Sequence, residues 1–305
     1  MILLWGLPDE TPIARIAGEL RRLNTPVCLI DQRRYTRTAG ELSVRDGTCS
    51  GWIAIDDQHV DLGTITGAYL RPYPLASATD HADTRHAEAL DQLILTWAGI
   101  APPETAVINR PDAMATNDSK PHQTELIRAY GFAVPDTIVT TDPVCAEQFW
   151  DQHGMVVYKS ASGVRSIANM LTERHRARLT HISTCPTQLQ PFVPGDDYRV
   201  HTAGARVFAT RIVSDATDYR YASRQGADRS MEPARLPRDI ADRCVRMTRG
   251  LGLLVAGIDL RLTPDGTWYC FEVNTSPAFT WFQEHTGQPI AQAIAWLLVH
   301  GLDVG

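Results

Sequence analysis

The chain has 305 residues, of which 44% are hydrophobic and 21% charged, and it carries a formal net charge of -6. That is enough apolar material for one large core or two to three subdomains, and no repeat or low-complexity tract points to a solenoid or a disordered chain. The acidic balance argues against nucleic acid or an anionic membrane as the main partner.

Residues 1–5 run straight into Asp9 and Glu10 without a basic stretch, and the longest apolar run, over residues 294–299, is far too short to span a bilayer. A cytoplasmic protein without a membrane partner is the expectation. Residues 2–5 read as a short apolar strand. Thr11-Pro12 offers an N-cap with proline at the first helical position, and Ile13, Ile16, Ala17, Leu20 and Leu23 keep helical spacing. Residues 27–30 form the next strand. With a strand over residues 67–70 and a helix over residues 84–97, this predicts a small α/β N-terminal domain. No Gly-x-Gly-x-x-Gly follows the first strand, so a dinucleotide site is not expected there.

Proline-rich breaks at Pro102-Pro103 and Asn109-Arg110-Pro111 mark a boundary. Beyond it a helix over residues 119–130 stops at Gly131, and residues 136–140 form a strand. A second change of composition, over residues 186–194, opens a strand-rich part that ends in an amphipathic helix over residues 289–300. The expected division is therefore 1–108, 109–190 and 191–305. Six cysteines, Cys28, Cys49, Cys145, Cys185, Cys244 and Cys270, are scattered without a Cys-x-x-Cys pair and read as buried reduced thiols.

Of 29 basic residues only two are lysines, Lys120 and Lys159. An ammonium is compact and rotatable where arginine offers a planar fork, so both are candidates for the phosphate oxygens of a nucleotide. The competing reading is two chance escapes from a composition bias. Lys120 stands in Asn117-Asp118-Ser119-Lys120-Pro121 at a helix start, where the dipole favours anions. Lys159 ends a strand and precedes Ser160-Ala161-Ser162-Gly163-Val164-Arg165-Ser166, small residues that let backbone N–H groups approach phosphate, although no Walker A pattern is present. Gln188-Leu189-Gln190-Pro191-Phe192-Val193 is a short apolar segment whose backbone suits an adenine edge, or serves only as an interdomain strand.

The clearest geometry lies in two alternating runs, residues 257–262 and 267–274, around the turn Thr263-Pro264-Asp265-Gly266. Pairing Leu262 with Thr267 sets Asp259 opposite Cys270 and makes Asp259 and Glu272 diagonal neighbours, with Arg261 and Asn274 on the same face. Two carboxylates and an amide oxygen form a hard donor set suited to Mg²⁺. The bland alternative is a solvated face paired with Arg261.

In this order and spacing the pieces resemble the ATP-grasp ligases, and within them the group related to ribosomal protein S6 modification enzymes and microviridin-type graspetide synthetases. The resemblance runs from Asn109 to the C-terminus. It implies an ATP-grasp fold of the α/β class, with a small N-terminal α/β domain, a central lid subdomain and a C-terminal antiparallel-sheet subdomain. It implies that Lys120 and Lys159 bind ATP phosphates and that Ser162 and Gly163 cap them. Gln190, Pro191, Phe192 and Val193 would hold adenine, and Asp259, Glu272 and Asn274 would hold Mg²⁺, with two ions the expected complement. Arg199 and Arg261 match positions facing the acyl phosphate or substrate carboxylate. Arg71, in Tyr69-Leu70-Arg71-Pro72, and Arg220, in Asp218-Tyr219-Arg220, resemble substrate-proximal positions. Two departures stand out: Pro191 follows Gln190 where an acid is common, and Thr275 follows Asn274 where proline is common.

The activity implied is an ATP- and Mg²⁺-dependent ligase joining a carboxylate to an amine or hydroxyl through an acyl phosphate, on a peptide substrate. Rivals are a ligase for free amino acids or dipeptides, a phosphotransferase, and a non-catalytic nucleotide-binding module. A homodimer is left open. A run of cations, Arg199, His201, Arg206, Arg211, Arg220 and Arg224, suggests a field that steers an acidic peptide. The plain alternative is solvated partners of the excess Asp and Glu.

Overall fold

The computed structural model describes residues 1–46, 48–56, 58–74, 84–117, 119–160, 168–214 and 229–302. Ser162, Gly163, Arg220 and Arg224 lie outside them.

Strand β1 (Ile2–Gly6) is buried at every position, as a central parallel strand must be. Helix α1 (Thr11–Arg22) returns the chain to β2 (Val27–Asp31), which runs parallel to β1, and buries Ile13, Ile16 and Leu20. The N-cap is Glu10, one residue earlier than expected, and its side chain makes no capping bond. Its carboxylate is committed to Arg71 instead. Next come β3 (Thr38–Arg45), β4 (Thr48–Ile55) and β5 (Gln58–Asp61), an antiparallel sheet absent from the sequence reading. Asp46-Gly47 at the first turn is a hairpin pair, and Asp46 has the positive φ (50°) such turns require. Strands β6 (Gly67–Leu70) and β7 (Ala106–Ile108), with α2 (Thr84–Ile100) between them, complete a parallel sheet in the order β2-β1-β6-β7.

The middle of the chain holds α3 (Lys120–Ala129), β8 (Ile138–Thr140), α4 (Pro143–His153), β9 (Val156–Ser160), β10 (Asn169–Met170) and β11 (Thr187–Pro191). Its antiparallel sheet, β10-β9-β11-β8, has one face on α4, where Ala146, Phe149 and Trp150 meet Val156 and Leu189.

The last sheet contains β12 (Asp196–Ala203), β13 (Arg206–Ser214), β14 (Arg229–Ala234), β15 (Val255–Leu262) and β16 (Trp268–Asn274), ordered β14-β13-β12-β15-β16 and wholly antiparallel. Helix α5 (Arg238–Gly250) lies on one face, packing Ile240, Cys244 and Met247 against Val200, Ile258, Leu260 and Val273. Alternation then aims Arg199, His201 and Asp259 at the opposite face. After α6 (Thr280–Thr286), α7 (Ile290–His300) closes the chain against the first sheet and shares a core with Ile2, Leu4, Ile13, Ile16 and Val255. A Cβ at Gly67 would stand 2.4 Å from the Leu298 carbonyl oxygen, so glycine is what lets α7 close on β6.

The α/β expectation holds. No helix among the described residues is long and apolar enough to cross a membrane. All six cysteines are thiols, but Cys145 and Cys185 are exposed, against the expectation of burial. Burial pushes the Cys28 thiol up to about 11 and Cys244 to about 12, so neither ionises near neutrality.

Candidate functional site

The turn between β15 and β16 is tighter than the sequence suggested. Thr263 Oγ1 accepts from Thr267 N at 3.0 Å and donates to Thr267 O at 2.9 Å, and Gly266 takes φ +88°. This makes Leu262 pair with Trp268, not Thr267. An irregularity between Asp259 and Leu260 then skips Phe271, so Asp259 pairs with Glu272 and Gly257 with Asn274. Asp259 and Glu272 are thus direct cross-strand partners, closer than the diagonal neighbours predicted.

Strand β12 sets a cation beside them. Arg199 pairs across from Asp259, is only 6% exposed, and donates from Nη1 to Asp259 Oδ1 at 2.8 Å. A Cβ on Gly257 would stand 2.3 Å from Arg199 Nη2 and 2.7 Å from Pro277 Cβ, so the guanidinium uses the space glycine leaves. His201, fully buried, packs its ring 5.0 Å from that of Phe282. Burial and then the Arg199 charge hold its pKa well below 6.5, against an opposing pull from the Ala278 backbone, so the ring is neutral.

Arg261 braces the adjoining segment. It forks onto Asp197 through Nε (2.8 Å) and Nη2 (2.9 Å), while Nη1 donates to Val193 O at 2.7 Å. The Phe192 and Phe271 rings lie 5.7 and 5.3 Å from its guanidinium carbon. The expected adenine segment is thereby tied to the hairpin that carries Asp259 and Glu272.

Two buried carboxamides anchor the rest. Gln123 on α3 accepts from Val273 N (2.9 Å) and donates to Val273 O (2.8 Å), satisfying the open edge of β16 and docking the first turn of α3, which begins at Lys120, on that strand. Asn109 accepts from Leu254 N (2.8 Å) and donates to Val255 O (2.7 Å) and Thr275 O (2.6 Å). Asn274 Oδ1 accepts from Ser276 N at 2.9 Å, which fixes the amide and leaves its oxygen a second lone pair. Arg71 continues this support: Nε donates to both oxygens of Glu10 (2.9 and 3.0 Å), and Nη1 to Ser276 O (3.1 Å), Ser276 Oγ (3.0 Å) and Pro277 O (3.2 Å).

On the lid sheet Lys159 pairs with Gln188 and Val157 with Gln190, all on the face away from α4. Gln190 Nε2 donates to Thr137 Oγ1 at 2.8 Å, and Phe192 N to Met155 O at 2.8 Å.

Residues 115–298 match the model of the RimK-like ATP-grasp domain. The chain belongs to this family. A probable alpha-L-glutamate ligase of Pasteurella multocida is 26% identical over 177 residues, 55% of this chain and 56% of that protein, so the chain spans about half the length of that curated relative. The macrocyclase MdnC of Microcystis aeruginosa, solved with precursor peptide MdnA, superposes with a TM-score of 0.80 at 22% identity over 98% of this chain and 99% of its own. The ATP-grasp ligase PsnB, solved with a minimal precursor, Mg and ADP, gives 0.78 at 25% identity over 98% and 96%. The ATP-grasp fold is borne out.

Within this ATP-grasp core no group of three or more His, Cys, Asp or Glu able to hold a metal occurs among the described residues. The donor set that fits Mg²⁺ is the mixed one, two carboxylates (Asp259, Glu272) and one amide (Asn274), all half-buried at paired positions. Sequence reasoning missed Asn109 and Gln123, whose partners are distant backbone atoms, and Glu10, whose partner is the Arg71 side chain. Among the described members of the run of cations, Arg206 is exposed. Arg199 and His201 are buried, and Arg211 is held by Asp196 (2.8 Å) and Glu232 (3.0 Å).

Proposed function

We propose that this protein is an ATP- and Mg²⁺-dependent ligase that activates a peptide carboxylate as an acyl phosphate and joins it to an amine or hydroxyl. The observation that carries this reading is the buried Arg199 set against the Asp259–Glu272 pair, with Asn274 beside them. A fixed cation at the edge of a hard oxygen set suits a carboxylate and a phosphoryl group that meet there.

Lys120 and Lys159 bind the phosphates, with Ser162 and Gly163 capping them, and Gln190, Pro191, Phe192 and Val193 hold the adenine. Asp259, Glu272 and Asn274 hold the metal, for which two ions are the expected number; when bound, Mg²⁺ neutralises the transferring phosphoryl oxygens. A substrate carboxylate oxygen attacks the γ-phosphorus as the bond to the ADP oxygen breaks. Arg199 orients the resulting acyl phosphate. The acceptor nitrogen or oxygen then attacks the acyl carbon, phosphate departs, and the acceptor proton goes to solvent. Arg261 serves this chemistry by holding Val193, and Arg71 by holding the Ser276–Pro277 loop behind Asn274; Arg220 remains the proposed substrate contact. The three parts are 1–108, 109–190 as the lid, and 191–305 as the metal-bearing sheet.

A peptide substrate is supported by the precursor peptides in the MdnC and PsnB complexes. A ligase adding free glutamate is the second reading, favoured by the Pasteurella relative. ADP release measured with short acidic peptides, with free glutamate and with dipeptides separates them. Turnover with peptides alone supports the first; turnover with free amino acids alone replaces it by the second.

A further inference from the structure

Gln188 is 2% exposed, yet its Oε1 makes no hydrogen bond. Among the described residues the other fully buried carboxamides have partners, Gln32 in Tyr73, Asn109 in Leu254, Val255 and Thr275, Gln123 in Val273, and Gln190 in Thr137, and only the half-buried Asn117 shares an unpartnered buried amide oxygen. A buried amide oxygen without a donor is costly, and a donor on a bound ligand is one way in which such a group is completed. Its neighbours on β11 and β9, Leu189 and Tyr158, point into the core under α4, so Gln188 points to the other face, directly across from Lys159 and one alternation before Gln190. It therefore stands between the lysine assigned to phosphate and the segment assigned to the base. That segment departs from its family at Pro191, which brings neither an N–H nor an acid.

We propose that Gln188 reads the nucleobase, its Oε1 accepting from the exocyclic amine of adenine and its Nε2 donating to N7. This rests on the ATP reading of the site. A carboxamide is complementary to that edge of adenine, which offers one donor and one acceptor. Guanine and hypoxanthine present two acceptors on the same edge, so either orientation of the amide sets oxygen against a lone pair. Gln188 supplies a side-chain acceptor that Pro191 lacks, and so sets specificity for adenine nucleotides.

The experiment compares ADP with inosine diphosphate, which differs at that edge by a carbonyl in place of the amine. Binding to the full chain is measured calorimetrically, with thermal melting of the ligand-free protein alongside. The wild type binds ADP at least about tenfold more tightly than inosine diphosphate, the scale of one good bidentate pair. Gln188→Met loses that preference through weaker ADP binding, while its ligand-free melting temperature is unchanged or higher, because no bond within the protein is lost. Gln188→Glu, which keeps the acceptor, retains the preference. An unchanged ADP preference in Gln188→Met overturns the assignment while leaving the ATP reading intact. A drop in the ligand-free melting temperature with the preference kept makes Gln188 structural and likewise overturns it. A wild type that binds neither nucleotide removes the ATP reading itself.

Discussion

In the C-terminal sheet Arg199 is bonded to Asp259, and Arg261 to Asp197 and the Val193 carbonyl, whereas on the lid sheet Gln188 lies buried beside Lys159 with its oxygen unsatisfied. The supports differ as well. The C-terminal sheet rests on the α5 core and shares the α7 core with the N-terminal sheet, while the lid rests on a small cluster around Phe149 and Trp150. The charged half of the site is preorganised, which is what a transition state rewards, and the half we propose for the nucleotide keeps an unsatisfied acceptor. Substitutions should therefore separate by region: stability and activity fall together in the C-terminal sheet, and activity alone in the lid.

The largest effect is expected from Asp259→Ala. It takes from the buried Arg199 the carboxylate 2.8 Å away, and breaking a buried pair of this kind costs about 3 kcal/mol. Denaturant unfolding should show that loss, with no measurable ligation in the variant. Unaltered stability would mean that the pair is not preassembled.

Lys159→Met tests the other side. Turnover should fall by at least about 10²-fold, the scale of one lost preorganised donor, with the unfolding midpoint unchanged. Lys120→Met should behave alike. Parallel losses of stability would erase the contrast between the regions.

A smaller effect is expected at the loop behind Asn274. Arg71→Lys keeps the charge but not the fork that spans Glu10 and Ser276, and should weaken Mg·ADP binding by about tenfold while leaving metal-free ADP binding alone. Glu272→Gln should show the same metal-selective loss. If Arg71→Lys raises only the KM for peptide, Arg71 contacts substrate directly.

The smallest effect concerns pH. His201 is held neutral in the fold, its pKa depressed from 6.5 by burial and then by Arg199, so below pH 6.5 the unfolded chain takes up a proton that the native state excludes. Stability should decline as pH falls through that value, and His201→Phe should flatten the decline. A wild-type midpoint equal at pH 7 and pH 5 contradicts this.

The charged half was also the more legible in sequence. Strand alternation placed Asp259, Glu272 and Asn274 on one face, and the placement survives because the turn and the skipped Phe271 each shift the register by one residue, together one full period of two. The register was missed because Thr263 closes the turn with its own hydroxyl and the chain skips Phe271, choices made by local hydrogen bonds and not by hydrophobic pattern. Asn109 and Gln123 were invisible because a buried carboxamide looks like a surface one until the strand it completes is known. The β3–β5 sheet was overlooked although Asp46-Gly47 announces its first turn.

The most direct measurement is of products. The purified protein is incubated with ATP, Mg²⁺, an acidic peptide and hydroxylamine, and nucleotides and peptide mass are followed together. The expected products are ADP and phosphate with a peptide hydroxamate, formed by wild type and absent with Asp259→Ala. AMP and pyrophosphate, or ADP with no trapped hydroxamate, would contradict it.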